Sequence, residues 1–231
     1  MILQLSEVVS APVLGALQAV MAKSEMFEDG AKTAGWRARE RKNNLQAGKT
    51  ALASGAIKKV EKALLENTLF LSAARPKEIV RILLSRYDMG MHYGAHVDDA
   101  VMAGRRTDLS FTLFLADPES YDGGALVIDR TEGERAFKLP AGHLLLYPST
   151  TLHRVEPVTR GSRLAAVGWV RSLIRDDAQR ELLFDLDQAA VMLRSEAGCD
   201  RNSLVRGSRG LAKNSFGGPS STIMPRSVKY M

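Results

Sequence analysis

Two histidines and one aspartate have the residue types and the spacing of a metal site. His96 and Asp98 lie in the segment Tyr93-Gly94-Ala95-His96-Val97-Asp98, and His153 follows later in the chain. Side chains alternate between the two faces of an extended strand, so His96 and Asp98 point the same way while Asp99 points to the opposite side. Two imidazoles and one carboxylate form the facial triad that binds ferrous iron and leaves coordination positions open. The spacing therefore predicts an Fe(II) site.

Length and composition favour one domain with a sizeable core. The chain has 231 residues, 45% of them hydrophobic, and its one cysteine, Cys199, excludes a disulfide framework within the chain. We see neither a signal peptide at the N-terminus nor a run of roughly 18 apolar residues that could span a membrane. These features together predict a cytoplasmic protein without a membrane segment.

The net charge of +6 does not predict nucleic-acid binding, because most of it lies at the C-terminus. Residues 199–231 contain six Lys or Arg side chains and one acidic side chain, whereas basic and acidic residues nearly balance over 1–198. A nearly neutral body gives no reason to expect a nucleic-acid partner for the folded domain.

Helical periodicity at both ends flanks a series of short strands. Apolar residues recur at helical spacing from about residue 11 to 23, 50 to 66 and 176 to 194, while 24–49 reads as loop with one strand and 68–73 as strand or packed coil. Between residues 79 and 170, alternating apolar residues and turn signals predict seven or eight short strands. The clearest is 107–115, in which Leu109, Phe111, Leu113 and Leu115 form an apolar face and Ser110, Thr112 and Phe114 form the other.

This pattern predicts an α+β fold, a double-stranded β-helix (jelly roll) with flanking N-terminal and C-terminal helices. We divide the chain into an N-terminal helical cap that packs on the barrel (1–77), the jelly-roll domain (78–172), a C-terminal helix (173–198) and a basic tail (199–231). The tail is rich in Asn, Ser, Gly and Arg and has no periodicity, which predicts disorder.

The complete set of motifs resembles the Fe(II)/2-oxoglutarate dioxygenases with a prolyl-hydroxylase-like jelly roll, and more closely the bacterial PKHD-type hydroxylases. The resemblance covers about residues 1–198, beyond which family members continue into amphipathic helix where this chain has its basic tail. Besides His96, Asp98, His153 and Arg163, it is carried by the segments Asn43-Asn44, Arg86-Tyr87, Arg106-Thr107-Asp108-Leu109-Ser110, Ser120-Tyr121-Asp122-Gly123-Gly124, Leu139-Pro140-Ala141-Gly142, Tyr147-Pro148-Ser149, Pro157-Val158-Thr159-Arg160-Gly161 and Ile174-Arg175-Asp176-Asp177.

The resemblance implies a dioxygenase that uses Fe(II), 2-oxoglutarate, O2 and L-ascorbate. His96, Asp98 and His153 would be the catalytic metal ligands, and the reaction would hydroxylate an unidentified small-molecule or peptidyl substrate with release of succinate and CO2. The guanidinium of Arg163 matches the distal C5 carboxylate of 2-oxoglutarate by a two-point bond. Tyr87 could donate a hydrogen bond to the same cosubstrate, or it could be a core tyrosine.

Several other residues have both a functional and a structural interpretation. Ser110 and Thr112 share one strand face and could line the pocket or merely fill space, and Trp169 shares the face of Arg163 by alternation. We interpret His92 and His143 as strand or turn residues, Arg105-Arg106 as a solvated loop rather than a contact for an anionic substrate, and Cys199 as inert.

Two other classes of function compete with the oxygenase. A cupin-like hydrolase or isomerase could use the same three ligands for Zn²⁺ or Mn²⁺, but it would have no need of Arg163 as a dicarboxylate clamp. A non-enzymatic ligand-binding jelly roll would keep the fold and lose a metal ligand, whereas all three are present here. The sequence leaves open the substrate and the oligomeric state, with a homo-oligomer as one option.

Overall fold

The computed structural model describes residues 1–33, 39–204 and 229–230, and that part of the chain contains four α-helices. These are α1 (Ala11–Met21), α2 (Ala51–Glu66), α3 (Thr68–Ala74) and α4 (Asp177–Leu204). Helix α2 begins where predicted because the Thr50 side chain caps it, accepting a hydrogen bond from the Ala53 N–H at 3.1 Å. The apolar side of α2, including Val60 and Leu64, is fully buried.

Helix α3 corrects the prediction of strand or packed coil for residues 68–73. The Asn67 side chain accepts a hydrogen bond from the Phe70 N–H at 2.9 Å and so caps a new helix one residue after α2 ends. Arg75 then ends the helix in the left-handed conformation, with φ 41°. A short apolar run fits a buried strand or a buried helix equally well, and here the cap decides in favour of the helix.

The described residues form seventeen strands, several of them only two residues long. The predicted count of seven or eight between residues 79 and 170 is too low, because twelve strands lie there and alternation cannot detect the shortest. In chain order they are β1 (Leu3–Leu5), β2 (Phe27–Asp29), β3 (Lys42–Asn43), β4 (Leu45–Ala47), β5 (Pro76–Tyr87), β6 (His92–His96), β7 (Val101–Met102), β8 (Arg105–Arg106), β9 (Leu109–Phe114), β10 (Asp122–Gly123), β11 (Leu126–Arg130), β12 (Gly133–Phe137), β13 (Leu144–Pro148), β14 (His153–Val155), β15 (Val158–Arg160), β16 (Arg163–Ser172) and β17 (Lys229–Tyr230).

Two antiparallel sheets make up the body of the jelly roll. The major sheet has the order β17-β1-β13-β9-β16-β5-β4-β2, and the minor sheet has the order β12-β11-β14-β6-β3. Two-residue pairings join β10 to β15 and β7 to β8. The fold is therefore the predicted α+β jelly roll, with the minor sheet contributing β6 and β14 and the major sheet contributing β5, β9 and β16 to its interior.

Strand β9 separates the two cores of the molecule in the way that its alternation predicts. Phe111 and Leu113 belong to the core between the major sheet and the helices, together with Phe70 and Leu64. Phe114, on the other face of the strand, belongs to the core between the two sheets. The polar residues of that second face therefore point between the sheets, where a cavity lies.

The N-terminal segment contributes more than a helical cap. Residues 1–77 contain α1, α2 and α3, but β1, β2 and β4 join the major sheet and β3 joins the minor sheet. Its residues 34–38, with Trp36, lie outside the described part of the chain. The division of the chain into domains stays a prediction.

Helix α4 extends past the predicted end of the C-terminal helix at residue 198 and reaches Leu204. A single glycine, Gly198, disfavours a helix by only about 1 kcal/mol relative to alanine, and the neighbouring residues tolerate helix well enough to continue it. The prediction of disorder for 199–231 is wrong for 199–204, where α4 continues, and for 229–230, which form β17; the rest of the tail lies outside the described residues. None of the described helices is both long enough and apolar enough to cross a membrane.

Candidate active site

The two predicted histidines lie opposite each other on neighbouring strands of the minor sheet. His96 is the last residue of β6 and His153 is the first residue of β14, and their Cα atoms are partners in the antiparallel register. Side chains of directly opposed residues point to the same face of a sheet and lie close together. The two imidazole centroids are accordingly 4.2 Å apart.

Asp98 completes a compact cluster with these histidines just beyond the end of β6. Its Oδ1 lies 3.8 Å from His96 Nε2 and its Oδ2 lies 3.8 Å from His153 Nε2. One ligand atom from each residue can be chosen so that all lie within 4.8 Å of one another, which would let the three hold a metal ion. Asp99 lines the same cavity but does not belong to this cluster.

Hydrogen bonds orient each member of the cluster. His96 Nδ1 donates to the Gly94 carbonyl at 2.8 Å and His153 Nδ1 donates to the Thr151 carbonyl at 2.9 Å. Because a carbonyl can only accept, each Nδ1 carries a proton, and each Nε2 faces Asp98. On the other side, Ser110 Oγ donates to Asp98 Oδ2 at 2.5 Å.

The electrostatics of the cluster favour a cation at its centre. Burial, followed by the neighbouring His153, lowers the pKa of His96 to about 4, so this imidazole is neutral at neutral pH. In this neutral form His96 converges with the His153 ring and the Asp98 carboxylate in one cluster. Metal ligation needs this protonation state, and the donor set fits Fe(II).

Arg163 lies deeper between the sheets and is one of the most buried side chains of the molecule, with 1% of its surface exposed. Its Nε and Nη1 are buried and have no hydrogen-bond partner among the described residues. The guanidinium lies over the rings of Tyr87 and Phe114, 5.1 and 5.4 Å from their centroids. A buried cation without an anionic partner is costly, so this geometry fits a site that receives an anion.

Gly124 makes room for the stem of Arg163. This glycine has φ 62°, and a Cβ atom built on it would lie 3.2 Å from Arg163 Cδ and 2.9 Å from Val158 Cγ2. Only glycine adopts this backbone conformation readily and also allows so close an approach. The Gly-Gly turn predicted at residues 123–124 therefore shapes the wall beside the guanidinium.

Tyr87 lies directly across from Arg163, because the two residues are register partners in β5 and β16. Burial raises the pKa of Tyr87, against the opposing effect of the Arg163 charge, so its hydroxyl keeps its proton. Tyr147 is likewise buried, and burial raises the pKa of its hydroxyl too. Both tyrosines can therefore act as hydrogen-bond donors beside the guanidinium and the cluster.

One cavity of about 120 Å³ connects the cluster with Arg163. Ser110, Thr112 and Trp169, whose placement in the interior rested on alternation alone, all line it. The remaining polar lining comes chiefly from Lys42, Gln46, Arg81, Ser85, Tyr87, Tyr93 and Tyr147.

The other candidates from the sequence do not reach this cavity. His92 and His143 do not line it, in agreement with their interpretation as strand and turn residues. Arg105 pairs with Glu78 at 3.3 Å and Arg106 pairs with Asp108 at 2.5 Å, so carboxylates already offset both charges. The side chain of Cys199 lies outside what the structure describes.

Sequence reasoning singled out none of six polar residues that line the site, namely Lys42, Gln46, Arg81, Ser85, Tyr93 and Tyr147. Tyr93 stacks on His96 with a centroid separation of 3.7 Å, and the Tyr147 ring lies 5.2 Å from that of His153. Arg81 and Lys42 line the same cavity. Alternation along β5, which places Arg81 on the face of Tyr87, could have found Arg81, whereas Lys42 lies in the segment read as loop and carried no such signal.

Sequence profiles of two known families match this chain. The profile of the 2OG-Fe(II) oxygenase superfamily matches residues 82–171, which include all members of the cluster and Arg163. The profile of the PKHD-type hydroxylase C-terminal domain matches residues 177–206, which correspond to helix α4. The resemblance seen in the sequence thus extends beyond residue 198.

Similar proteins include a PKHD-type hydroxylase of Synechococcus sp. strain JA-3-3Ab, which is 54% identical over 207 residues, covering 87% of this chain and 92% of the relative. A PKHD-type hydroxylase of Parvibaculum lavamentivorans is 51% identical over 201 residues, covering 87% of this chain and 91% of the relative.

Solved structures share the fold at lower identity. A Pseudomonas putida prolyl-4-hydroxylase superposes with a TM-score of 0.52 at 23% identity, covering 74% of this chain and 92% of that one. A Trichoplax adhaerens prolyl hydroxylase, in complex with a hypoxia inducible factor peptide fragment, superposes with a TM-score of 0.58 at 17% identity. The match covers 78% of this chain and 86% of that one. With identities of about 50% to curated relatives over most of its length, this chain belongs to the PKHD-type hydroxylase family of 2OG-Fe(II) oxygenases.

Proposed function

We propose that His96, Asp98 and His153 bind the iron of this 2-oxoglutarate-dependent dioxygenase and that Arg163 binds its cosubstrate. One observation carries the proposal: a cluster of two histidines and one carboxylate lies in the same cavity as a buried guanidinium, two of whose nitrogens have no hydrogen-bond partner among the described residues. The cluster provides the ligands for a metal ion, and the guanidinium provides a binding site for an anion that enters the same cavity.

Fe(II), when bound, supplies the chemistry that couples reduction of O2 to decarboxylation of 2-oxoglutarate and to hydroxylation of a substrate C–H bond, with succinate and CO2 as coproducts. The protein binds the metal and the cosubstrate and orients the side chains that hold them. Ser110 holds the carboxylate of Asp98, and the carbonyls of Gly94 and Thr151 hold the two imidazoles.

At the deep end of the cavity, Arg163 receives the C5 carboxylate of 2-oxoglutarate. A guanidinium matches a carboxylate by two parallel charge-assisted hydrogen bonds, and burial strengthens them by excluding water. The hydroxyl of Tyr87 donates a further hydrogen bond to the cosubstrate. The dicarboxylate thereby neutralises a cation that the described residues leave unpaired.

The proposal extends to L-ascorbate as the reductant that keeps the iron ferrous, as in the family that this chain resembles. We also place the enzyme in the reducing cytoplasm, where a protein with one cysteine needs no disulfide. Protein-bound proline is one candidate substrate, because the prolyl hydroxylases of Pseudomonas putida and Trichoplax adhaerens share the fold. Free amino acids and other small metabolites are further candidates.

Neither alternative function accounts for the cavity as well. A divalent-metal hydrolase or isomerase could use the same cluster but would leave Arg163 buried without a partner. A ligand-binding jelly roll without catalysis would have no need for three oriented metal ligands.

Anaerobic titration with Fe(II) and 2-oxoglutarate tests the proposal, because the chelated cosubstrate produces a weak visible charge-transfer band. We expect the band in wild type, its loss in His96→Ala and its weakening in Arg163→Leu. His143→Ala, which removes a histidine outside the cavity, should keep it. Absence of the band from folded wild-type protein would reject the proposal, and a thermal melt establishes whether the protein is folded.

A further inference from the structure

A second pair of cations, Lys42 and Arg81, lines the same cavity as the cluster. Lys42 belongs to β3 at the edge of the minor sheet and Arg81 belongs to β5 in the major sheet. They thus approach the cavity from its two walls. Lys42 is only 9% exposed, whereas Arg81 is exposed at the mouth.

Arg81 is remote from Arg163 along the major sheet. Tyr87 is the register partner of Arg163 and Trp169 is the register partner of Arg81. Tyr87 lies six positions after Arg81 in β5, which corresponds to about 20 Å of extended strand. Side chains on one face of a strand run roughly parallel, so a five-carbon dicarboxylate bound at Arg163 is too short to reach Arg81 as well. Arg81 and Arg163 therefore serve different anions.

Burial of the Lys42 ammonium costs free energy, and the neighbouring charges compensate only part of that cost. Burial, and then the positive charge of Arg81, lower the pKa of Lys42 to about 8, while Asp98 and Asp29 act in the opposite direction with smaller effects. Asp98 belongs to the metal cluster, where a cation takes up its charge. No carboxylate of the described residues forms an ion pair with Arg81. An incoming anion would relieve the repulsion between the two side chains.

Two aromatic residues complete the surroundings of this pair. Lys42 Nζ lies 5.3 Å from the ring centroid of Tyr93, and the same ring stacks on His96. Trp169 lines the cavity on the side of Arg81, and its indole N–H is buried without an acceptor among the described residues. An ammonium, a guanidinium and an indole N–H are all donors that can bind an anion next to the metal cluster, and besides Asp98 the described lining of the cavity includes one further carboxylate, that of Asp99.

We propose that Lys42 and Arg81 form a substrate-recognition site that binds an oxyanion group, a carboxylate or a phosphate, on the molecule that is hydroxylated. This inference rests on the proposed function, because it takes the cluster as the reaction centre and Arg163 as the cosubstrate site. According to this proposal the substrate is an anionic molecule. Lys42 and Arg81 bind its oxyanion group, and the carbon that is hydroxylated then lies on the side of the molecule that faces the metal.

Small probe anions test this site without knowledge of the substrate. The full chain, in a Trp36→Phe background that leaves Trp169 as its one tryptophan, is loaded with Zn(II) and saturated with 2-oxoglutarate so that the metal and Arg163 are occupied. Acetate, methyl phosphate and neutral acetamide are then titrated at constant ionic strength while Trp169 fluorescence is followed. The stronger of the two anions identifies the kind of oxyanion.

We expect a saturable response to at least one anion and none to acetamide. Affinity for that anion should fall at least tenfold in Arg81→Gln and in Lys42→Gln, and Arg81→Lys should retain part of it. Arg135→Gln, which changes an exposed arginine that does not line the cavity, should bind like the parent protein. No saturable response to either anion, an equal response to acetamide, or unchanged affinity in both glutamine variants would overturn the proposal.

The charge-transfer band of wild-type protein with Fe(II) and 2-oxoglutarate keeps the two proposals separate. A band without an anion response removes the Lys42 and Arg81 site and leaves the proposed function intact. An anion response without a band rejects the proposed function, and the substrate role of the anion site with it.

Discussion

Two buried arginines in this protein have opposite hydrogen-bonding environments. Arg163, in the cavity between the sheets, is 1% exposed, and two of its nitrogens have no partner among the described residues. Arg180, at the start of α4, is 2% exposed, but Nη1 donates to the Ile174 carbonyl at 2.7 Å and Nη2 pairs with Asp177. At nearly equal burial, Arg180 is hydrogen-bonded within the protein, whereas Arg163 keeps free donors that fit its proposed role in binding the cosubstrate.

The surroundings of each arginine support this distinction. Arg180 fixes the segment before α4, where Ser172 also bonds to the Ala74 carbonyl at 2.8 Å. Arg163 is held by aromatic rings and by the close approach of Gly124, which position the guanidinium without satisfying its N–H groups. An unsatisfied buried donor in a well-packed site is a stronger sign of ligand binding than burial itself.

The largest effect on stability is expected from Arg180→Met. Removal of the guanidinium leaves the Ile174 carbonyl without its donor and breaks the Asp177 contact, so the free energy of unfolding should fall by about 3 kcal/mol. For a chain of this size that lowers Tm by roughly 6–12 °C. Thermal and urea denaturation of the metal-free protein measure the loss. If Arg180→Met were as stable as wild type, the arginine would not be a structural anchor.

Arg163→Met should weaken ligand binding and leave stability unharmed, the opposite of the effect expected from Arg180→Met. It removes a buried cation that pairs with no carboxylate of the described residues, so the metal-free, cosubstrate-free protein should keep or slightly increase its stability. Its dissociation constant for 2-oxoglutarate should rise about 30-fold, since hydrogen bonds to charged groups contribute about 1.5–3 kcal/mol. Calorimetric titration with 2-oxoglutarate in the presence of Zn(II) and a thermal melt measure the two quantities. A strongly destabilised Arg163→Met would remove the contrast with Arg180.

Ser110→Ala tests the same contrast between ligand binding and stability at the metal cluster, with a smaller expected effect. Without its hydrogen bond to Asp98 Oδ2, the carboxylate loses its fixed orientation, and metal affinity should fall about tenfold. The melting temperature of the metal-free protein should change little. Competition between the protein and a chromophoric chelator for Zn(II) gives the affinity, and an unchanged value would show that Ser110 does not orient the ligand.

Ser172→Ala is the matched change beside Arg180 and has the smallest expected effect. It removes the hydrogen bond to the Ala74 carbonyl, which should lower the free energy of unfolding by about 1 kcal/mol. Metal affinity, measured with the same chelator, should match that of wild type. A loss of metal affinity here would mean that the anchor and the metal site are coupled.

Local pattern was enough to predict the parts of the site that depend on strand alternation. It placed His96 and Asp98 on one side of a strand, and it placed Ser110, Thr112 and Trp169 toward the interior, where all of them line the cavity. It failed for residues 68–74, where a side-chain cap chose between two structures that the same apolar run permits.

The sequence by itself determined the fold class, the ligand types and the family, because these depend on periodicity and on motifs that local spacing preserves. Only the tertiary structure decided which residues converge. It brought His153 opposite His96 through antiparallel register, left two nitrogens of Arg163 without a partner among the described residues, and added Lys42 from a segment with no periodicity. The physical reason is that register and burial are properties of pairs of distant segments, and neither is encoded in the spacing along one of them.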